Sequence, residues 1–431
     1  MNTHPQRLLL HNELHARPRP PLHGPHRVSM FALLRNAGGP DPLERLRDLC
    51  RDYRLPEPTA SQGHFFGDFG AFRLKWERHG EFDDYTVYRA GADTANPFAQ
   101  PALDALPEGW VASLPGECIA AAHVTVLGPA TDDSQRLPPP LAFDGDSLIA
   151  AMVADASALV FTDLQLDAQG YTRFLMLDVN TSPAHTGREV QRLLDIEMYR
   201  MMAMLAFPIA RAVAGELDTI ERQLTELGER LETASPSDEP QLLGEVTHLA
   251  AMIERLSGES SFRFSAGRAY HALVRQRGNE LRERHLSGVQ TLTGFLDRRF
   301  GPAMALCESV GNRIEVAAQR VSRASSLLRT RVEIEREAQN QAMLAAMNRR
   351  ARLQLRLQET VEGLSVAAIT YYAVGLFGYV AKGAASAGLA IDPETASGIA
   401  VLPIGVAVAL ALRRMRQAIM RRQNSDDELE P

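Results

Sequence analysis

"LSVAAITYYAVGLFGYVA", residues 364–381, and "TASGIAVLPIGVAVALAL", residues 395–412, each run for 18 residues without a charged side chain. A helix rising about 1.5 Å per residue makes each roughly 27 Å long, close to the hydrocarbon thickness of a bilayer. The loop between them, 382–394, carries one lysine, one aspartate and one glutamate. Arg349, Arg350, Arg352 and Arg356 precede the first stretch, and Arg413, Arg414, Arg416, Arg421 and Arg422 follow the second. Positive residues gather on the cytoplasmic side of a membrane. The pair therefore predicts a two-helix transmembrane hairpin in a bacterial inner membrane, with both termini cytoplasmic and the lipid bilayer as its first partner. Gly375, Gly378, Gly405 and Ala409 would let helix backbones approach, Pro403 would bend the second span, and Thr370, Tyr371 and Tyr372 would turn their polar atoms to protein or water. The competing reading is a soluble hairpin buried in a protein core.

Upstream, the pattern stays helical. No glycine or proline occurs between Asn312 and Glu362, so nothing local stops a helix from running into the first apolar stretch. Cys307, Val310, Ile314, Ala317, Val321, Ala324 and Leu328 recur in a three-four rhythm. Residues 329–341, "RTRVEIEREAQNQ", lose that seam and read either as a solvated face or as a polar lining shared between subunits. Before them, Leu217, Ile220, Leu224, Leu227 and Leu231, and then Leu242, Val246, Leu249, Ile253 and Leu256, mark an antiparallel coiled-coil pair around "ASPSDEP". Thr186 and Glu189 suggest a capping box opening the helical region, and a further helix is expected over roughly 267 to 299.

The amino-terminal part alternates short apolar runs with turn residues. "DPLERLRDLCRDY" starts a helix with Asp41 as N-cap and Pro42 at its first position. "FRLKWERHGEFDDYTVYRAG" and "SALVFTDLQLDAQGYTRFLMLDVN" read as hairpins, "CIAAAHVTVLG" as a strand, and "DSLIAAMVADA" as a short helix. The expected fold class is thus an α+β cytoplasmic N-terminal domain with a mainly antiparallel sheet, followed by long coiled-coil helices and the transmembrane hairpin. Residues 1–26 form an arm, 27–184 the α+β domain, 185–300 the coiled-coil region, 301–363 a stalk helix, 364–412 the hairpin and 413–431 a charged cytoplasmic tail.

Composition narrows the function. A net charge of −7 over 431 residues gives no general surface for nucleic acid. Three scattered cysteines, Cys50, Cys118 and Cys307, fit neither a disulfide framework nor a structural zinc. The apolar run "LLL" near the start is too short for a signal-peptide core, which places the bulk of the chain in the cytoplasm. No phosphate loop, dinucleotide fingerprint or nucleophile elbow is present, so the chain does not read as an enzyme. In "HNELHARPRPP", His11, Glu13 and His15 have a spacing unlike the paired-histidine zinc motif, and the stretch reads better as a docking arm than as a metal site. Trp76, Glu77, His79, Glu81, Asp83 and Asp84 gather acid, imidazole and ring groups at one hairpin, with a polar hairpin tip as the plain reading and a site including His79 as the sharp one.

Four segments, "NELHARP" at 12–18, "KWERHGEF" at 75–82, "RLLDIEMYRMMAMLAFPIAR" at 192–211 and "QETVEGLSVAAITYYAVGLFGYVAKG" at 358–383, resemble the bacterial domain of unknown function 3422 family, which implies membrane anchoring and no particular activity. The order of parts is also similar to CorA-type cation transporters, where five stalks ring a pore. There a Gly-Met-Asn triplet selects the ion, and here the corresponding place reads Gly378-Tyr379-Val380-Ala381-Lys382-Gly383. That likeness implies a homo-oligomer, a pentamer in the closest parallel, a divalent cation as cargo or cofactor, and a pore wall including Met343, Met347, Gln358, Ser365 and Thr370. The alternatives are a non-transporting scaffold with cytoplasmic protein partners, and an anchored enzyme.

Overall fold

The computed structural model describes residues 3–7, 11, 19–36, 38–59, 62–128, 143, 147–386 and 392–426, with side chains as far as residue 415. It divides into two compact units, Met1–Leu328 and Arg329–Pro431. The first is built on strands β1 (His26–Leu34), β2 (His64–Asp68), β3 (Arg73–Arg78), β4 (Phe82–Ala90), β5 (Glu117–Leu127), β6 (Ile149–Val153), β7 (Ala158–Leu166), β8 (Thr172–Asp178) and β9 (Arg284–His285). Its helices are α1 (Pro42–Asp52), α2 (Pro183–Met204), α3 (Ala206–Thr233), α4 (Glu239–Leu281) and α5 (Leu292–Arg299). Helix α6 (Gly301–Ser386) begins in the first unit and continues into the second, which also holds α7 (Pro393–Asp426).

The strands form one nine-stranded sheet in the order β2-β3-β4-β1-β5-β8-β7-β6-β9. The pairing is antiparallel except between β5 and β8. One face carries Phe31, Leu74, Trp76, Tyr85 and Val87 and packs with Leu43, Leu46 and Leu49 of α1. The other carries Val28, Met30, Phe82, Val124 and Phe174 and shares one core with α2 and with the coiled-coil residues of α3, α4 and α6. Leu217, Ile220, Leu224 and Leu227 pack with Leu242, Val246, Leu249 and Ile253, as the three-four spacing requires. Asp41 caps α1, its Oδ1 accepting the Leu43 amide at 3.1 Å.

Three local expectations are corrected. "DSLIAAMVADA" contains strand β6 and not a helix: Ile149, Ala150, Ala151 and Val153 are buried on both sheet faces, which produces a continuous apolar run. Helix α2 starts at Pro183, so Thr186 and Glu189 are buried within it and do not form a capping box. Helix α4 extends to Leu281, and Arg282, at φ 51°, turns the chain into β9 before the short α5, in place of one helix over 267–299.

In the second unit, α6 and α7 lie side by side. A side chain at Gly378 would meet Ser397 Oγ at 3.1 Å, and one at Gly405 would meet Thr370 Cγ2 at 3.6 Å. Ala381 and Ala400 are buried in the same seam. Gly375 faces open space. Both helices are long and apolar enough to cross a membrane, and only 6% of each apolar window is buried.

Candidate functional site

The β3–β4 hairpin places residues of like parity on one face, because side chains alternate along a strand. Lys75 pairs with Thr86 and Glu77 with Asp84 in the register, so these four look toward the helix-covered face. Lys75 is 3% exposed, Glu77 7% and Asp84 2%. Lys75 Nζ donates to Glu77 Oε2 at 2.7 Å and to Gln191 Oε1 of α2 at 2.8 Å. Burial disfavours the ammonium, but the anionic forms of Tyr88, Asp84 and Glu77 outweigh that loss and hold its pKa above the ordinary lysine value. His79 Nε2 donates to Asp84 Oδ1 at 2.8 Å.

The network continues through the helices. Gln191 Nε2 donates to Asp195 Oδ1 at 2.6 Å, Arg277 Nε of α4 to Asp195 Oδ2 at 2.8 Å, and Arg277 also pairs with Glu280 at 3.0 Å. Arg192 joins Glu280, at 3.3 Å, to the fully buried Glu189, whose carboxyl burial pushes above the usual range. Rings close over the hairpin tip. His79 stacks on Phe82 with centroids 4.3 Å apart and meets the edge of Tyr199. Tyr199 stacks on Tyr270, whose hydroxyl donates to Glu81 Oε1 at 2.9 Å. Arg263 pairs with Glu81 at 2.8 Å.

The segments "KWERHGEF" and "RLLDIEMYR", more than a hundred residues apart, therefore meet. Residues 2–419 match the family described as "Protein of unknown function (DUF3422)". The chain belongs to that family. No curated protein and no solved structure matches it. Within DUF3422 terms, the buried cluster is where two of the sequence segments that carry the resemblance touch.

Glu77, His79 and Asp84 place one ligand atom each within 4.8 Å of one another, a carboxylate-imidazole-carboxylate set of the kind that holds divalent ions. Lys75, however, already sets a cation against Glu77 and beside Asp84, so the two carboxylates have a built-in counter-charge. The arrangement can clamp a hairpin onto two helices. It offers a poor fit to an added ion, since a second cation would lie against the ammonium.

The remaining sequence-derived candidates fall elsewhere. His11 is exposed, while Glu13 and His15 lie outside the described residues. Met343 and Met347 are exposed, as is Gln358. Ser365 Oγ donates to the Val361 carbonyl at 2.8 Å and Thr370 Oγ1 to the Val366 carbonyl at 2.7 Å. Thr370 sits in the α6–α7 seam against Gly405, on a different face of α6 from Met347 and Ser365. Lys75, Gln191, Asp195, Tyr270 and Arg277 were not singled out by sequence. For Lys75 a signal existed: the chain has 46 lysines and arginines, of which only Lys75 and Lys382 are lysine.

Proposed function

We propose that this DUF3422 chain is a non-enzymatic inner-membrane protein whose α6–α7 hairpin spans the bilayer and tethers the sheet-and-helix unit at its cytoplasmic face. The observation that carries this reading is the bareness of the hairpin. Leu364, Leu376, Tyr379, Ile399 and Leu402 are each more than 70% exposed. Side chains of that kind favour leaving water by roughly 1.5–3 kcal/mol each, which a lipid environment supplies and an isolated soluble hairpin does not.

The tether is favoured over a conducting pore by the placement of polar atoms. Thr370 and Ser397 face the seam between the two helices, so the outward surface of α6 from Ala367 to Val380 is apolar but for Tyr371, Tyr372 and Tyr379. A hydrated path for a cation needs oxygen ligands or charge along its wall. The test is reconstitution of the full-length chain into liposomes. The tether predicts that the protein stays with the lipid after an alkaline wash and that potassium and magnesium fluxes match protein-free vesicles. Release by the wash would remove the anchor, and protein-dependent flux would restore the transporter reading.

A further inference from the structure

Helix α6 has two unlike sides in the second unit. One side, marked by Thr370, Gly378 and Ala381, meets α7. On the opposite side a three-four repeat runs through Leu344, Met347, Ala351, Gln354, Gln358 and Val361 and continues into the apolar stretch through Ser365, Ala368, Tyr372, Gly375 and Tyr379. From Asn340 to Tyr379 no position of this repeat is charged, whereas Arg349, Arg350, Arg352, Arg356, Glu359 and Glu362 all occupy other positions. The repeat is that of a coiled-coil seam, and it slips around a straight helix by only about 20° per heptad.

We infer that this face is the homotypic seam through which further copies of the chain associate in parallel, along the stalk and into the bilayer. The inference rests on the membrane anchoring proposed above. Lipid can cover the span but not the stalk, and there Leu344, Met347 and Val361 are 59%, 57% and 58% exposed to water. Insertion in one orientation makes the stalks of neighbouring copies parallel, so each residue of the repeat meets its own counterpart. The residue types suit that meeting: Gln354 and Gln358 hydrogen-bond to their own kind, since an amide carries both donors and an acceptor. Ala351, Ser365, Ala368 and Gly375 allow backbones to come close, and a side chain at Gly375 would enter open space within the single chain. Of the residues that a CorA-like arrangement would line a pore with, Met347, Gln358 and Ser365 lie on this seam, where they serve contact between copies.

The experiment is cysteine oxidation in membranes on the full-length chain, with the exposed Cys118 replaced by serine. Gln354→Cys and Gln358→Cys, on the seam, are compared with Arg352→Cys and Glu359→Cys, on the far side. The seam variants are expected to form a band at twice the 47.4 kDa chain mass roughly tenfold or more faster than the others, because a disulfide needs Cα atoms about 4.4–6.8 Å apart. Ala351→Arg should reduce the native mass in mild detergent to that of one chain while leaving tryptophan fluorescence of the sheet unit unchanged. Equal oxidation on both sides, or an unchanged mass for A351R, overturns the seam. Retention after an alkaline wash is read on the same membranes, so loss of anchoring is seen separately from loss of association.

Discussion

Gly187→Ala separates two opposed physical effects at one atom. Gly187 lies in the first turns of α2, and a Cβ built there would sit 2.2 Å from the Pro20 carbonyl oxygen and 3.3 Å from its carbon. Both are backbone atoms, so no side chain can swing aside. The arm that carries Pro20 is held by Leu22, 2% exposed in the main core, and by the Leu22 amide donating to the Pro183 carbonyl at 2.9 Å. Displacing the arm exposes one leucine, about 1.5–3 kcal/mol, and breaks one backbone hydrogen bond, about 1 kcal/mol. Replacing glycine by alanine in a helix contributes about 1 kcal/mol in the other direction. The net expectation is a loss of roughly 1.5–3 kcal/mol. Urea unfolding in mild detergent reads it, with Trp76 and Trp110 reporting the sheet unit, and hydrogen exchange of the Leu22 amide reports the arm. Gly215→Ala, where an added Cβ meets nothing within 4 Å, is the control and should gain up to about 1 kcal/mol. A Gly187→Ala protein as stable as the parent, with Leu22 still protected, would refute the argument.

Lys75→Met should destabilise by about 3–5 kcal/mol, because it removes the buried counter-charge held against Glu77 and beside Asp84, and adding Glu77→Gln should recover part of that loss in the same urea assay. His123 is 5% exposed beside Ser29 and Tyr171, and burial depresses its pKa from 6.5 to about 4. The unfolded chain then takes up the proton first, so stability is full above pH 6.5 and falls as the pH drops toward 4. About 2 kcal/mol should be lost between pH 7 and 5, and a His123→Gln chain that shows the same slope would exclude this histidine as the cause. Ala156 sits at φ 70° in the β6–β7 turn, a region costing alanine about 1 kcal/mol, so Ala156→Gly should raise the unfolding midpoint; a lowered midpoint would mean the turn's strain is absent.

The parts of this fold that were legible in sequence are those where one local signal dominates. Hairpin β3–β4 announced itself by alternation and a glycine, α1 by Asp41 and Pro42, and the α3–α4 seam by leucine spacing. Strand β6 was illegible because burial on both faces erases alternation, and the end of α4 because Arg282 takes a left-handed conformation that no local signal in the sequence requires. The buried cluster was half legible. Its strand residues stood out as a charged hairpin, but Lys75 and Gln191 are 116 residues apart, and only packing of α2 onto the sheet joins them. Thr370 was grouped with Ser365 in the pore wall that the CorA likeness implies, although five residues along a helix turn a side chain by about 140°.

The position of β1 in the sheet also sets a timetable. The earliest strand of the chain is central, flanked by β4 and β5, while β9, at Arg284–His285, closes an edge. A ribosome adding about 5–20 residues per second reaches that edge on the order of 10–50 s after β1 emerges. β5, the second neighbour of β1, is complete at Leu127, about 5–20 s after β1 at that rate, but the face carrying Val28 and Met30 stays bare until α2 follows, and the outer edge of β6 stays unpaired until β9 is made. Nascent chains of this protein therefore pass through a long stage with unpaired strand edges and bare apolar surface, the state on which holding chaperones act and from which aggregation starts.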